Sequence, residues 1–467
     1  MYSFIVRCFL MIALLIPSIN SYAGPLETHA KKSAAPLYFF SQLQSVSQNA
    51  VDYLSKDLAP SKRLLSEAAQ QQLTDTFLQH YFSPWHSQGH FSSLEEIKQQ
   101  QLELLKEFSQ QPSWGANHYP IAPTVITAIE QNLDLAHFPN RRLPAITLQS
   151  GNVKQLPTST LLLGEPGTPG SGYPFDNNQE TWISSNTPVL IVHTTEDAAW
   201  SLVLLGNTFG WLPSWQLAAI DEKFRLQWQT PPQGHLTIST LHCPLVDNQG
   251  QLVTVAELGG LYPVIAEKPD RWLLYAATRD RQGAVVLQPI TIKKAEASRF
   301  PCPLTPSYLA TTINQLVGQP YRWGGLDGSY DCSSILITLF QPFGIWLPRN
   351  SGDQAKRAQH FIDLADFDRQ KKLELIQKRG IPFLTLGWMP GHIVLYLGQK
   401  QNPHLFHSVW GLKTIDAENQ STGRALIGRA AIMPLQVDAD YLNIPITLLD
   451  KLQRLIIVTD NNYPIQK

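Results

Sequence analysis

The chain is short of several things that would settle its class directly. Only 4 of its 467 residues are cysteine, too few for a disulfide scaffold, and they stand in no zinc-binding spacing. Charge of one sign is also lacking: 36 Lys and Arg face 37 Asp and Glu, a formal net charge of −1. Chains that live on nucleic acid carry a basic excess, so that partner class is set aside. Charged residues are 16% and apolar residues 43%, which argues against a disordered or coiled-coil protein. No apolar run reaches the length of a bilayer span. What is present is proline (34, against 28 glycines) and aromatics (12 Trp, 15 Tyr, 19 Phe), a mixture that favours short strands and turn-rich domains. Length alone suggests about three domains.

Residues 1–23 read as an export signal rather than as part of the fold. Arg7 supplies the positive start, Cys8 to Ile16 (CFLMIALLI) the apolar stretch, and Ser21-Tyr22-Ala23 the small residues of a cleavage site before Gly24. No cysteine follows as a lipid acceptor would. The expectation is an exported protein, periplasmic or secreted, with no transmembrane segment after cleavage and three cysteines left.

The expected fold class is multidomain α+β. Residues 24–140 read as helical, with a capping box at Ser92-Ser93-Leu94-Glu95, an apolar stripe Leu94, Ile97, Leu102, Leu105, and Gln99 to Gln101 on the wet side. The segment HYFSPWH, with His80, Trp85 and His86, reads as packing rather than as a site. From 141 to 300 short strand candidates alternate with turns, among them Val189–Val192, Trp200–Leu205, Leu252–Glu257 and Trp272–Ala276, and Gly164–Gly172 (GEPGTPGSG) reads as a flexible loop. Two small SH3-like β-barrels are expected, 141–228 and 229–300. The remainder, 301–467, is mixed α and β and carries the chemistry. Within it, Ala355–Gly380 reads as one charged surface helix with Leu373 and Ile376 inward.

Residues 319–354 read QPYRWGGLDGSYDCSSILITLFQPFGIWLPRNSGDQ. Asp331 is a good N-cap and Ile335, Leu336, Leu339 and Phe340 form one helical face, so Cys332 falls on the first helical turn. The positive end of the helix dipole there is expected to lower the thiol pKa. Trp323-Gly324-Gly325 is expected to let the backbone approach the sulfur as substrate entry requires. A cysteine nucleophile needs a base, and His392–Leu397 and Leu405–Trp410 form two strands around the turn Gly398–Pro403. A hairpin that opposes His392 with His407 puts both imidazoles on one face. The other register brings His404 to that face, but about four positions away, roughly 13 Å. His407 is therefore the better orienting partner for His392.

On these residues the C-terminal third resembles the NlpC family of papain-like peptidases that cut bacterial cell-wall peptides. The resemblance rests on PYRWGG (320–325), Asp331-Cys332-Ser333, LPRNSGDQ (347–354), GHIVLYLG (391–398) and the His407 strand. It implies Cys332 as nucleophile, His392 as base and His407 as third polar residue, with Tyr321, Asp331, Ser333 and Ser351 lining the substrate pocket. Asp331 would pair with the free amino terminus of a peptide, while Arg349 and Gln354 would bridge helix and loop. Ser334 departs from the family pattern, which has glycine after DCS. More weakly, YPFDNNQ (173–179), PVLIVHTTEDAAW (188–200) and FGWLP (209–213) are similar to the first of two bacterial SH3-like modules found beside such peptidases, and residues 24–140 to the helical segment before them. Asp176, Glu196 and Asp197 are the candidates of that module for reaching the cleft, although Asp197 also reads as a turn residue and Trp200 as a core anchor.

The implied activity is hydrolysis of the γ-D-glutamyl–diamino acid bond of peptidoglycan stem peptides through a thioester, by a monomer needing no cofactor, on peptidoglycan-derived peptides. A catalytically inert wall-binding protein and a papain-like amidase or acyltransferase are the competing readings. Cys243 and Cys302, both flanked by proline, either pair with each other or stay as two buried thiols.

Overall fold

The computed structural model describes residues 37–54, 59–86, 93–168, 170–399, 402–415, 422–437 and 444–459. The signal-like stretch 1–23 and Ser92 lie outside them. Among the described residues no helix is long and apolar enough to cross a membrane.

The N-terminal region is helical, but not from its first element. Leu37–Phe39 is a strand that adds in parallel to the edge of the C-terminal sheet, Leu37 opposite Arg424. Periodicity misses it because three extended residues carry no pattern of their own. Two 3₁₀ turns follow and tie the segment down, with the Ala50 N–H donating to Asn314 Oδ1 (2.7 Å) and Gln48 Nε2 to the Ile432 carbonyl (2.8 Å). Then come helices Glu67–Phe82, Leu94–Gln110 and Pro123–Asn132. The capping box of the second is Ser93 with Glu96, one residue later than the sequence suggests. Its buried stripe is Ile97, Gln101 and Leu105, while Leu102 is exposed. Gln101 is inside because its Oε1 accepts from the indole Nε1–H of the fully buried Trp211 (2.8 Å), a polar partner the aromatic needs once desolvated. His80 stacks on Trp346, ring centroids 3.7 Å apart, so HYFSPWH is packing.

Two seven-stranded antiparallel sheets follow. The first runs in the order Gln179–Ile183, Gly151–Lys154, Phe209–Pro213, Trp200–Leu204, Pro188–Thr194, Leu143–Thr147, Leu217–Ala219. The second runs Leu252–Ala256, Cys243–Val246, Val285–Lys293, Arg271–Arg279, Leu261–Glu267, His235–Ile238, Ala297–Arg299. Both are open: among the described residues neither pairs its last strand with its first, so the sheets do not confirm the two expected barrels. The junction between them is a helix, Glu222–Gln229, capped by Asp221.

The C-terminal domain packs helices on a third seven-stranded sheet. Its order is Leu37–Phe39, Thr422–Pro434, Pro403–Ile415, His392–Gln399, Thr385–Met389, Arg454–Ile457, Ile362–Asp363. One sheet face packs on Pro306–Leu316 and Ser334–Phe340 through Leu309, Ile313, Leu336, Leu339 and Phe340, all fully buried. The charged stretch 355–380 is not one helix: Ser351–Lys356 ends, a two-residue strand intervenes, and Arg369–Arg379 follows with Ile376 buried. The Asp-rich link between them (IDLADFD) holds capping residues rather than helix formers, and Asp368 caps the second helix.

Candidate active site

Cys332 sits at the turn into the helix Ser334–Phe340 and is buried, 9% exposed. The helix starts two residues after the cysteine, yet Asp331 does the capping. Its Oδ1 accepts from the Ser333 N–H (3.0 Å), the Ser334 N–H (2.7 Å) and the Ser333 hydroxyl (3.0 Å). Its other oxygen pairs with Arg349 Nη2 at 2.7 Å. Arg349 is itself 2% exposed; its Nη1 donates to Ser333 Oγ (3.0 Å) and its Nε to Thr181 Oγ1 (2.6 Å), which belongs to the first β-module. Asp331 and Ser333, expected as pocket-lining residues, are thus bound into an internal network. Arg349 does bridge, but between the Asp331–Ser333 turn and the β-module; Gln354 holds the Pro348 carbonyl (2.9 Å).

His392 opens the central strand and His407 lies on its neighbour. The pairing differs from the expected one: Leu395 faces Phe406 and Tyr396 faces Leu405, which sets His392 diagonal to His407 rather than opposite it. A bulge before Gly398 shifts the register, and no turn signal in the sequence marks it. Both histidines still share a face, because a two-residue slip preserves it. His392 Nε2 and His407 Nδ1 are 2.7 Å apart. His404 is elsewhere, its ring 5.0 Å from that of Tyr53. The backbone N–H of Ile393, the residue after His392, donates to the Cys332 sulfur.

The electrostatics reverse one expectation. Burial pushes the Cys332 thiol up to about 12, with the Asp331 charge adding to it, so desolvation outweighs the short helix. Burial likewise holds His392 down to about 4, helped by Lys451, and keeps His407 well below the usual imidazole range. The resting pair is therefore thiol and neutral imidazole. For His392 Nδ1 to accept a proton, its Nε2 must carry hydrogen and donate to His407 Nδ1. That fixes His407 as the Nε2–H tautomer, and this nitrogen is buried without a partner. Cys243 and Cys302 are free and buried, so no disulfide joins them.

Next to His392 opens a pocket of about 270 Å³, lined among others by Tyr321, Trp323, Trp410 and Phe175. Phe175 comes from the first β-module and lies 5.9 Å from the Tyr321 ring and 5.8 Å from that of Trp410. The aromatic wall thus crosses between modules. Phe175 sits one position before Asp176 in YPFDNNQ, a segment weighed only for its acid. That acid is buried and paired with Lys154 at 2.8 Å, while Asp197 caps its own turn. The two glycines after Trp323 serve the same junction: a Cβ on Gly324 would stand 2.4 Å from Gln179 Cγ, so they admit the β-module rather than the substrate. Ser351 begins the helix Ser351–Lys356, two residues after Arg349, and is not among the residues lining this pocket. Among the described residues no three His, Cys, Asp or Glu gather as metal ligands.

A buried cysteine held by the backbone next to a paired histidine, on a mixed α+β domain, has the residue types that cysteine hydrolysis would use. Comparison with known proteins is more specific. Residues 318–424 match the NlpC/P60 family, 8–138 the NLPC_P60 N-terminal stabilising domain, and 162–213 an SH3 domain of SH3b1 type. Three segments of the chain are thus similar, in order, to a stabilising domain, an SH3b domain and an NlpC/P60 domain, and members of the NlpC/P60 family are cysteine peptidases. A solved NlpC/P60 endopeptidase from Photobacterium damselae subsp. piscicida is similar over 90% of this chain and 98% of its own, with 26% identity and a TM-score of 0.81. A γ-D-glutamyl-L-lysine dipeptidyl-peptidase of Bacillus subtilis (strain 168) is 46% identical over 41 residues, which is 9% of this chain and 14% of that relative.

Proposed function

We propose that the chain is an exported cysteine endopeptidase that hydrolyses the γ-D-glutamyl–diamino acid bond of peptidoglycan stem peptides, acting as a monomer. The observation that carries this reading is the joint placement of Cys332, the Ile393 N–H and the 2.7 Å His392–His407 pair. The short match to a γ-D-glutamyl-L-lysine dipeptidyl-peptidase supports the choice of bond. Residues 1–23 supply the export signal and 229–300 a second SH3-like module.

With a thiol at about 12 and an imidazole at about 4, the proton does not leave sulfur in the empty site. It passes to His392 Nδ1 as the sulfur attacks the carbonyl carbon, and His407 steadies the imidazolium through the Nε2–H bond. Backbone N–H groups at the start of the helix, that of Cys332 among them, receive the oxyanion. The carbon–nitrogen bond breaks as His392 returns its proton to the leaving amine. Water, deprotonated by the neutral histidine, then cleaves the thioester and restores the thiol. Tyr321 borders the pocket beside His392 and would contact the substrate there; Ser351 would do so from the neighbouring helix.

Purified protein is incubated with a defined muropeptide and with its N-acetylmuramyl form, and products are read by mass spectrometry. Wild type should release the diamino-acid fragment and Cys332→Ala should not. Equal products from both chains would sink the enzyme reading, and release of the sugar alone would favour the amidase.

A further inference from the structure

Both flanks of Cys332 are held by strands that do not belong to its own domain. Upstream, the loop Trp323–Gly328 leads into the nucleophile with left-handed backbone at Gly324, Gly325, Asp327 and Gly328. Asn152 of the first β-module exchanges two hydrogen bonds with Asp327. Its amide donates to the carboxylate and its oxygen accepts from the backbone N–H, both at 2.9 Å. Gln179 Nε2 donates to the Gly324 carbonyl (3.3 Å).

Downstream, the same module reaches Arg349 through Thr181, which is buried. Thr181 Oγ1 accepts from the Arg349 Nε–H at 2.6 Å. The hydrogen of that hydroxyl goes to the Trp182 carbonyl (3.3 Å), so a lone pair is left for the guanidinium. The two other nitrogens of Arg349 serve the turn that carries Cys332: Nη2 donates to Asp331 Oδ2 (2.7 Å) and Nη1 to Ser333 Oγ (3.0 Å). Asp331 in turn caps the N–H groups of Ser333 and Ser334. Cys332 is therefore clamped between the two residues that the guanidinium grips. A guanidinium is a rigid planar fork, so the bond at Nε sets the plane in which both Nη groups lie. Without that acceptor a buried charged donor is left unpaired, a cost that turning the fork away from its partners would relieve.

Resting on the peptidase reading, we propose that Thr181 is a positioning residue for the nucleophile: a side chain of the β-module that sets the plane of Arg349 and, through it, the Asp331–Ser333 turn on which Cys332 stands. The hydroxyl acts through Arg349 and not on the reacting atoms. Docking of the β-module then helps to make the reacting thiol as well as the walls around it. The effect has a sign at the sulfur. The Asp331 carboxylate pushes the Cys332 thiol up and the Arg349 guanidinium draws it down. A guanidinium swung out of its plane leaves the carboxylate less offset, and Cys332 ionises less readily.

The test compares the full chain with Thr181→Val, which keeps the shape and removes the acceptor, and with Thr181→Ser, which keeps the acceptor. Alkylation of Cys332 by iodoacetamide at about pH 9 is followed by peptide mass spectrometry, so that the buried Cys243 and Cys302 do not count. The valine chain should alkylate about threefold slower or more. Its kcat on the muropeptide should fall about tenfold, with KM changed less than about twofold. The serine chain should lie within about twofold of wild type in both. A side chain that merely packs gives the opposite sign, since its loss opens the site and speeds alkylation. Alkylation of the valine chain at the wild-type rate or faster overturns the proposal, and so does a serine chain as impaired as the valine chain. If circular dichroism shows that the valine chain does not fold, Thr181→Ala takes its place; an unslowed rate there overturns the proposal as well. The peptidase reading is tested separately. No cleavage by wild type, with alkylation slowed by valine and restored by serine, fails the peptidase and keeps the positioning role. Equal cleavage by wild type and the valine chain, with alkylation unslowed, does the reverse.

Discussion

His392 and His407 put a titration inside the core. Their native pKa values lie below the unfolded value near 6.5, about 4 for His392 and lower in direction for His407, because burial penalises the charged ring. Between pH 6.5 and 4 the unfolded chain takes up protons that the native site refuses, so stability falls as pH falls through that window. Below it, the ion-paired Asp331, held under the usual carboxylate range, extends the loss. Urea-unfolding midpoints at pH 7 and pH 4.5 should therefore drop for wild type and drop less for His407→Leu. A parallel drop in both chains would show that the buried imidazole contributes nothing to acid sensitivity. In the proposed peptidase reading, activity should also tolerate mild acid, since His392 keeps its acceptor nitrogen well below pH 6.5.

At the scale of elements, the glycines mark where modules meet. Gly324 has φ +64° and a Cβ there would also lie 2.8 Å from the Gln179 carbonyl oxygen. Gly318 has φ +86° with nothing within 4 Å. Ala at either site meets a left-handed backbone, roughly 1–2 kcal/mol. Gly324→Ala must in addition displace the β-module, so chemical denaturation should show it clearly more destabilised than Gly318→Ala; equal losses would mean that the contact is soft. The same distinction explains what was legible beforehand. His392–Leu397 and Leu405–Trp410 were readable as strands from alternation, as was the helix after Cys332 from its apolar face. The diagonal setting of the histidines depended on a bulge at Tyr396–Gly398, which no residue pattern announces. Helix position suggested an acidic thiol, but its pKa is decided by desolvation, and burial is a tertiary quantity. Phe175 was missed because an aromatic in a turn segment reads as local packing, whereas its partners Tyr321 and Trp410 are distant in the chain.

Across the whole molecule the cleft is a joint product. Thr181 holds the guanidinium that pairs with Asp331, Phe175 completes the aromatic wall, and Gly170, in a stretch expected to be flexible, stands beside Arg424. The N-terminal segment meanwhile covers the sheet edge at Thr422–Pro434. A chain beginning at residue 301 loses all of these at once. It should be poorly soluble, through the bared edge strand, and at least tenfold less active than the full chain at equal folded concentration. Activity and circular dichroism on both chains check this, and a fully active fragment would show that the peptidase domain shapes its cleft alone.

The strand Leu37–Phe39 has one further consequence, in time rather than space. Its partner residues, 424 to 426, lie 387 positions further along the chain. A ribosome delivers the segment at residue 37 long before it delivers the strand that hydrogen-bonds to it, and contacts so distant in sequence form slowly. This edge of the C-terminal sheet is therefore completed late. Until that strand emerges, the segment Leu37–Phe39 has no place in its sheet.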